Sequence, residues 1–229
     1  PAMRKNKYGD LPMTTAQAEL SAIPEIARLK FSSKLGVCNI NFDTYEITYE
    51  AIMLQPKHLL DMGTGSGYTA ICLAQLGAEA EGADISPRAI ALADENARRN
   101  NLPVHFFCSD HFQAVTGHYD LITYNPPIAG NCTELTRIFG DILRRFQSVS
   151  QLIIRISNKF SRSNRVDMLT EWLIKATQHL TPDGNILLIA SKIEMQALKA
   201  CFPKLSFTSR RELSEQPSYV IWQIQITDS

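Results

Sequence analysis

The stretch His58-Leu59-Leu60-Asp61-Met62-Gly63-Thr64-Gly65-Ser66-Gly67-Tyr68 constrains the fold more than any other part of the chain. A short apolar run ends in an acidic residue. Three glycines follow at alternate positions, and a helical pattern begins at Tyr68-Thr69-Ala70-Ile71-Cys72-Leu73. This order predicts a buried strand, a tight glycine turn and a helix. Glycine lets the backbone take positive φ and lets a ligand approach it closely. A dinucleotide-binding turn spaces its glycines G-x-G-x-x-G, whereas this one reads D-x-G-x-G-x-G. A plain strand-to-helix turn is the other reading, and the length of the string weighs against it.

The same rhythm continues downstream. Ala78–Ile85 reads as a second strand, and Ser86 caps a helix with Pro87 in its first turn, running to about Arg99. Pro103–Cys108 is a third strand, ending at Ser109-Asp110. Tyr119–Tyr124 is a fourth, ending at Asn125-Pro126-Pro127. Val166–Leu180 is an amphipathic helix and Thr181-Pro182-Asp183-Gly184 a turn. Asn185–Ala190 is a fifth strand and Ile193–Cys201 a helix; Leu205–Leu213 and Tyr219–Ile226 are two late strands. Alternation of this kind predicts an α/β fold with a doubly wound, mostly parallel seven-stranded sheet, closed by an antiparallel C-terminal hairpin. Right-handed crossovers then place the ends of the parallel strands on one edge, where ligands bind.

Ahead of this unit, Thr15–Leu29 is helix-like and interrupted at Pro24. Asp43–Met53 reads as a helix with Asp43 as N-cap and Glu46 completing a capping box. The stretch from Ile128 to about Asn164 is the least regular; Thr133–Phe146 suggests a helix, and Gln151–Ile156 a strand or buried edge.

Composition excludes several classes. With 229 residues, 45% of them hydrophobic, the chain can bury one full α/β core. Lys+Arg and Asp+Glu are both 23, so nothing in the charge balance favours nucleic acid or an anionic membrane. No apolar run approaches ~18 residues, so no transmembrane helix is expected. Residues 1–7 hold no apolar segment and do not read as a secretory signal. The five cysteines are scattered without a C-x-x-C, and reduced thiols in a cytoplasmic protein are the simple reading. Cys108, His111 and His118 lack a fourth ligand and a metal-binding spacing, so no metal is expected. Composition does not fix an oligomeric state.

The glycine string resembles the first motif of the class I S-adenosylmethionine (SAM) methyltransferases. In that family the loop passes under the methionine part of SAM. The resemblance extends to Asp84, which ends the second strand about 20 residues beyond the first glycine, where a carboxylate accepts both ribose hydroxyls. It extends to Asp110, which in the family accepts from the adenine exocyclic amine. It implies SAM as cofactor, bordered by Asp61, Gly63, Thr64, Gly65, Gly67, Asp84, Ile85, Ser109, Asp110 and Asn125. The Asp43-Thr44-Tyr45 helix is similar, more loosely, to one that precedes the glycine loop in a branch of N-methyltransferases; an ordinary covering helix is the other reading. On this footing residues 1–55 are an N-terminal extension of lid helices. Residues 56–229 are the SAM-binding domain, with a locally basic insertion at about 128–165 that reads either as a substrate-facing flap leaving the fourth strand's ligand edge or as a solvated insertion.

Asn125-Pro126-Pro127 is similar to the Asn-Pro-Pro-aromatic motif of methyltransferases acting on planar nitrogen. Two carbonyls, from the Asn125 side chain and the Pro126 backbone, suit a flat –NH2 with two donors. Asn125 and Pro126, with Tyr124 beside them, are therefore the candidate catalytic residues. Ile128 stands where the family has an aromatic, which weighs against a nucleobase acceptor, since stacking on a base contributes about 1–3 kcal/mol. Tyr124 either replaces that aromatic or belongs to the core. About 55 residues precede the first strand, fewer than the helical domain of the release-factor enzymes, which weighs against a protein glutamine. The expectation is N-methylation of a small-molecule or protein acceptor. Two alternatives stay open: an enzyme that transfers or cyclises the aminocarboxypropyl arm of SAM, and a non-catalytic SAM-binding subunit.

Overall fold

The computed structural model describes residues 14–126 and 165–227. The expectations for 127–164, including Ile128 and the insertion, lie outside the described residues. Seven strands form one sheet: β1 (His58–Met62), β2 (Glu79–Asp84), β3 (His105–Cys108), β4 (Tyr119–Tyr124), β5 (Leu180–Ser191), β6 (Leu205–Glu212) and β7 (Tyr219–Ile226). Their order is β3-β2-β1-β4-β5-β7-β6. The first five are parallel, and β7 runs antiparallel between β5 and β6. The order reverses at β1 and β4, and a crevice opens at such a switch point beyond the strand ends.

The helices are α1 (Thr15–Ser21), α2 (Pro24–Ala27), α3 (Phe42–Met53), α4 (Tyr68–Gln75), α5 (Pro87–Arg99), α6 (165–178) and α7 (Lys192–Cys201). Both sheet faces are covered, which explains the near-continuous apolar strands. Leu59, Leu121 and Leu187 point into one core with Ile47, Ile71 and Phe106. Leu60, Ile122 and Leu188 point into the other, with Leu169, Trp172 and Leu198.

Two local readings need correction. Helix α3 starts at Phe42, and its N-cap is Asn41, whose side chain accepts from the Thr44 backbone at 3.0 Å and closes the capping box with Thr44. Asp43 and Glu46 are buried instead. Glu46 accepts from the backbone N–H and hydroxyl of Ser214, beyond β6, so tertiary contact claims the carboxylate that the local pattern assigned to a cap. Residues 181–184 are not a turn between elements. Leu180 pairs with Tyr119 and pairing resumes at Asn185 with Leu121, so these four residues bulge out within β5.

Ion pairs tie α1 and α3 to the far edge of the sheet. Glu50 accepts from Arg210 at 3.1 Å and Arg211 at 2.9 Å, and Arg211 also reaches Glu19. The Ala16, Leu20 and Ile47 side chains are buried beneath them.

Candidate functional site

The glycine turn does three different jobs. Gly63 has φ +68°, and a Cβ there would sit 3.6 Å from the Tyr124 ring. Gly65 has φ +55°, with nothing nearer than 3.9 Å to an added Cβ. Gly67 has φ +80°, and its Cβ would lie 2.8 Å from Phe106 and 3.0 Å from Ala93. Gly67 is thus the close-packing contact between loop, sheet and α5. The backbone N–H groups of Gly63 and Thr64 both donate to the Ala83 carbonyl, at 2.8 and 3.0 Å, which pins the turn to the end of β2.

A cavity of about 580 Å³ opens at the switch point. Every candidate site residue within the described segments borders it except Gly67, which lies behind the loop. Asp61, at the end of β1, accepts from Thr64 and Thr123, each at 2.7 Å. Burial pushes its carboxyl up to about 6; those hydrogen bonds oppose the rise and the Asp84 charge adds to it. Asp84 accepts from the Gly65 N–H at 3.0 Å through one oxygen and from the Ser86 N–H at 2.9 Å through the other. Each oxygen keeps a second lone pair for a ligand hydroxyl. Ser86 caps α5 through its own hydroxyl, so Asp84 is not needed for that role. Ile85 beside it is 69% exposed, an apolar side chain at the cavity wall. Ser109 is buried and bonded to the His111 carbonyl, while Asp110 is exposed at the end of β3.

Asn125 and Pro126 leave the end of β4 along the same cavity wall. The Tyr124 ring is 7% exposed and stacks on Trp172 at 4.6 Å and 17°. Burial pushes its phenol up to about 12, so at neutral pH it is an uncharged wall.

The sequence suggests lid helices within residues 1–55 but does not say which of their residues reach the cavity. Residues 36–41 and Thr44 of α3 border the same cavity as the glycine loop and form its roof. Asp43, buried in the same lining, has its carboxyl pushed up to about 6 by burial and by the charges of Glu46 and Glu215. Helical spacing puts Asp43 and Ile47 on one face, but nothing in the local sequence says what that face covers.

The cavity fits SAM. Asp43, Asp61, Asp84 and Asp110 border it, and no Lys or Arg does among the described residues. A sulfonium cation is favoured in such a field. The open side of Gly65 leaves room for a chain to pass close to backbone. Among the described residues no group of three or more His, Cys, Asp or Glu side chains is placed to hold a metal ion. No described helix is long and apolar enough to cross a membrane.

Asp43 carries a pH prediction. Its folded value lies above the ordinary ~3.9 of an unfolded aspartate, so the fold disfavours the charged form. The burden is absent below about pH 4 and complete above about pH 6. Asp43→Asn is expected to melt higher than the unaltered protein at pH 7.5, the gap closing as pH falls to about 4. Scanning fluorimetry across that range tests it; a gap independent of pH rejects the burial argument.

Residues 46–152 match the family described as the methyltransferase small domain. A putative protein N5-glutamine methyltransferase of Methanocaldococcus jannaschii is 41% identical over 93 residues, covering 37% of this chain and 47% of that protein. The release factor glutamine methyltransferase of Haemophilus influenzae is 33% identical over 155 residues, covering 62% and 50%. The chain therefore spans about half the length of these relatives. Among solved structures, a methyltransferase from Pyrococcus furiosus aligns with TM-score 0.61 at 15% identity, covering 93% of this chain and 97% of its own. Over residues 46–152 the chain is thus similar to the methyltransferase small domain family, and the match takes in the glycine loop, Asp84, Asp110 and Asn125 that border the cavity.

Proposed function

We propose that this chain transfers the methyl group of SAM to a planar nitrogen, and that the acceptor is the side-chain amide of a protein glutamine. The observation that carries the reading is that Asn125 and Pro126 border the same cavity as Gly63, Gly65, Asp84 and Asp110. The kinship with glutamine methyltransferases supports the amide. The number of residues ahead of β1 does not count against it, since the chain spans half of those relatives.

When bound, SAM supplies a methyl group activated on a sulfonium. The Asn125 side-chain carbonyl and the Pro126 carbonyl accept the two N–H donors of the amide and aim its nitrogen at that methyl. Held along Gly63, Gly65, Asp84 and Asp110, SAM would supply the methyl and would leave as S-adenosylhomocysteine, the amide nitrogen giving its proton to solvent as the C–N bond replaces the C–S bond. Positioning is the main task, because the leaving group is already activated. The Tyr124 ring, fixed by Trp172, forms a rigid wall between acceptor and glycine loop.

The test is incubation with methyl-labelled SAM and a release factor or ribosomal protein, read by mass spectrometry. Methylated glutamine together with S-adenosylhomocysteine is the expected result. Methylthioadenosine would mean transfer of the aminocarboxypropyl arm and reject methyl transfer; label appearing in added RNA instead would reject the amide. For the cofactor half, Asp84→Ala is expected to weaken SAM binding by about 1–3 kcal/mol, since hydrogen bonds to a charged group are lost. Unchanged affinity by calorimetric titration removes the ribose role.

A further inference from the structure

The segment ahead of α3 runs across α5 in an unusual way. The Asn100 side-chain amide pairs with the Lys30 backbone: Oδ1 accepts from its N–H and Nδ2 donates to its carbonyl, both at 2.9 Å. One helical turn earlier, Asn96 repeats the pairing with Ser32, accepting from its N–H at 2.8 Å and donating to its carbonyl at 3.4 Å. The spacings match. Four residues of helix rise about 6 Å, and two residues of extended chain rise about 6.6 Å. Two asparagines at i and i+4 therefore offer the strap the edge of a strand, with side-chain amides in place of peptides. Lys34 then pairs with Glu95, and residues 36–41 continue as the roof of the cavity.

Asn96 does more than Asn100. It is fully buried, and its Nδ2 also donates to the carbonyl of Ser66 in the glycine loop, at 2.9 Å. One amide thus holds the roof strap and the cofactor loop at once. Asparagine is a poor helix former, so its buried place in the last turn of α5 needs these long-range bonds to offset it.

We infer that Asn96 is a positioning residue that joins the strap 30–41 to the glycine loop, so that docking of the strap and binding of SAM favour each other. The second half of this inference rests on the cofactor reading above. Linkage requires reciprocity: if the docked strap raises SAM affinity, SAM must hold the strap down by the same factor.

Hydrogen–deuterium exchange with mass spectrometry tests it on the whole chain. Without ligand, Asn96→Ala is expected to speed exchange about tenfold or more in both 28–41 and 62–67, whereas Asn100→Ala speeds it in 28–34 alone. With SAM, the unaltered protein and Asn100→Ala gain protection over 28–41, and Asn96→Ala at saturating SAM does not. SAM affinity falls about tenfold in Asn96→Ala and less than about threefold in Asn100→Ala. An Asn96→Ala protein in which either segment exchanges at the unaltered rate overturns the joint. Equal effects of the two substitutions on the glycine loop overturn it as well. If Asn96→Ala does not fold, Ser32→Pro removes the strap's N–H and leaves Asn96 in place; a glycine loop exchanging as in the unaltered protein then rejects the joint. Failure of the unaltered protein to bind SAM rejects the cofactor reading instead, and the ligand-free comparison still decides the joint.

Discussion

Gly65→Val is expected to abolish measurable SAM binding, with a loss of about a hundredfold or more, while the protein stays folded. Two effects combine. At φ +55° a β-branched residue is a backbone outlier, adding about 1–3 kcal/mol of strain. The side chain also has open space before it, because nothing lies within 3.9 Å of a Cβ there, and that space belongs to the cavity. Gly67→Val supplies the contrast. There a Cβ meets Phe106 at 2.8 Å and Ala93 at 3.0 Å, so the strain falls on packing between loop, sheet and α5. Gly67→Val is expected to lose melting temperature first and affinity as a consequence; Gly65→Val is expected to lose affinity with a small change in melting temperature. Titration calorimetry and thermal melting on both proteins separate the cases. A Gly65→Val protein that binds SAM as the unaltered one does would mean that the loop's open side is not the ligand's side.

The three alternate glycines looked equivalent in the sequence, and their division of labour shows how far local reading reaches. Strand ends were legible because a polar residue stands at or next to each: Asp61 one residue before the end of β1, Asp84 at the end of β2, and Ser109 and Asn125 just beyond β3 and β4. Parallel alternation then brings those stops to one edge without further information. The start of α3 was misplaced by local degeneracy. Asn41 to Thr44 and Asp43 to Glu46 both have a capping spacing, and a contact 168 residues away in sequence, from Ser214 to Glu46, decides between them. The anchoring of the strap escaped for the same reason: Ser32 and Asn96 are 64 residues apart, and no short-range pattern connects them. Tyr124 shows a third kind of limit. Its apolar neighbours allowed either a core ring or a free stacking face. Trp172, contributed by α6, takes one face of the ring, and Gly63 lies close to its edge.

Asn125→Ala separates a catalytic asparagine from a structural one. If the side-chain carbonyl orients the acceptor, SAM affinity is expected to stay within about threefold, because on the proposed reading the glycine loop, Asp84 and Asp110 would hold the cofactor, and the bonds that fix Asp61 and Asp84 do not involve Asn125. The single-turnover rate is expected to fall about a hundredfold or more, since a nucleophile misplaced by ~1 Å loses about that much. Asn125→Asp keeps two acceptor oxygens but brings a charge into a cavity already bordered by four carboxylates, Asp43, Asp61, Asp84 and Asp110. That variant is expected to lose turnover too, and to recover part of it as pH falls and the new carboxyl protonates, which alanine cannot imitate. A turn-shaping Asn125 forecasts a different pattern. Melting temperature and SAM affinity would fall together in Asn125→Ala, and the rate would return at saturating SAM. Pro126 fixes the backbone beyond Asn125 whatever side chain stands there, so truncation at Asn125 removes a carbonyl and an amide while the strand end keeps its course. Melting temperature, SAM affinity and single-turnover rate measured on one preparation therefore decide the role. A stable, SAM-binding Asn125→Ala protein turning over at the unaltered rate would remove Asn125 from the chemistry, and the planar-nitrogen acceptor would lose its main support.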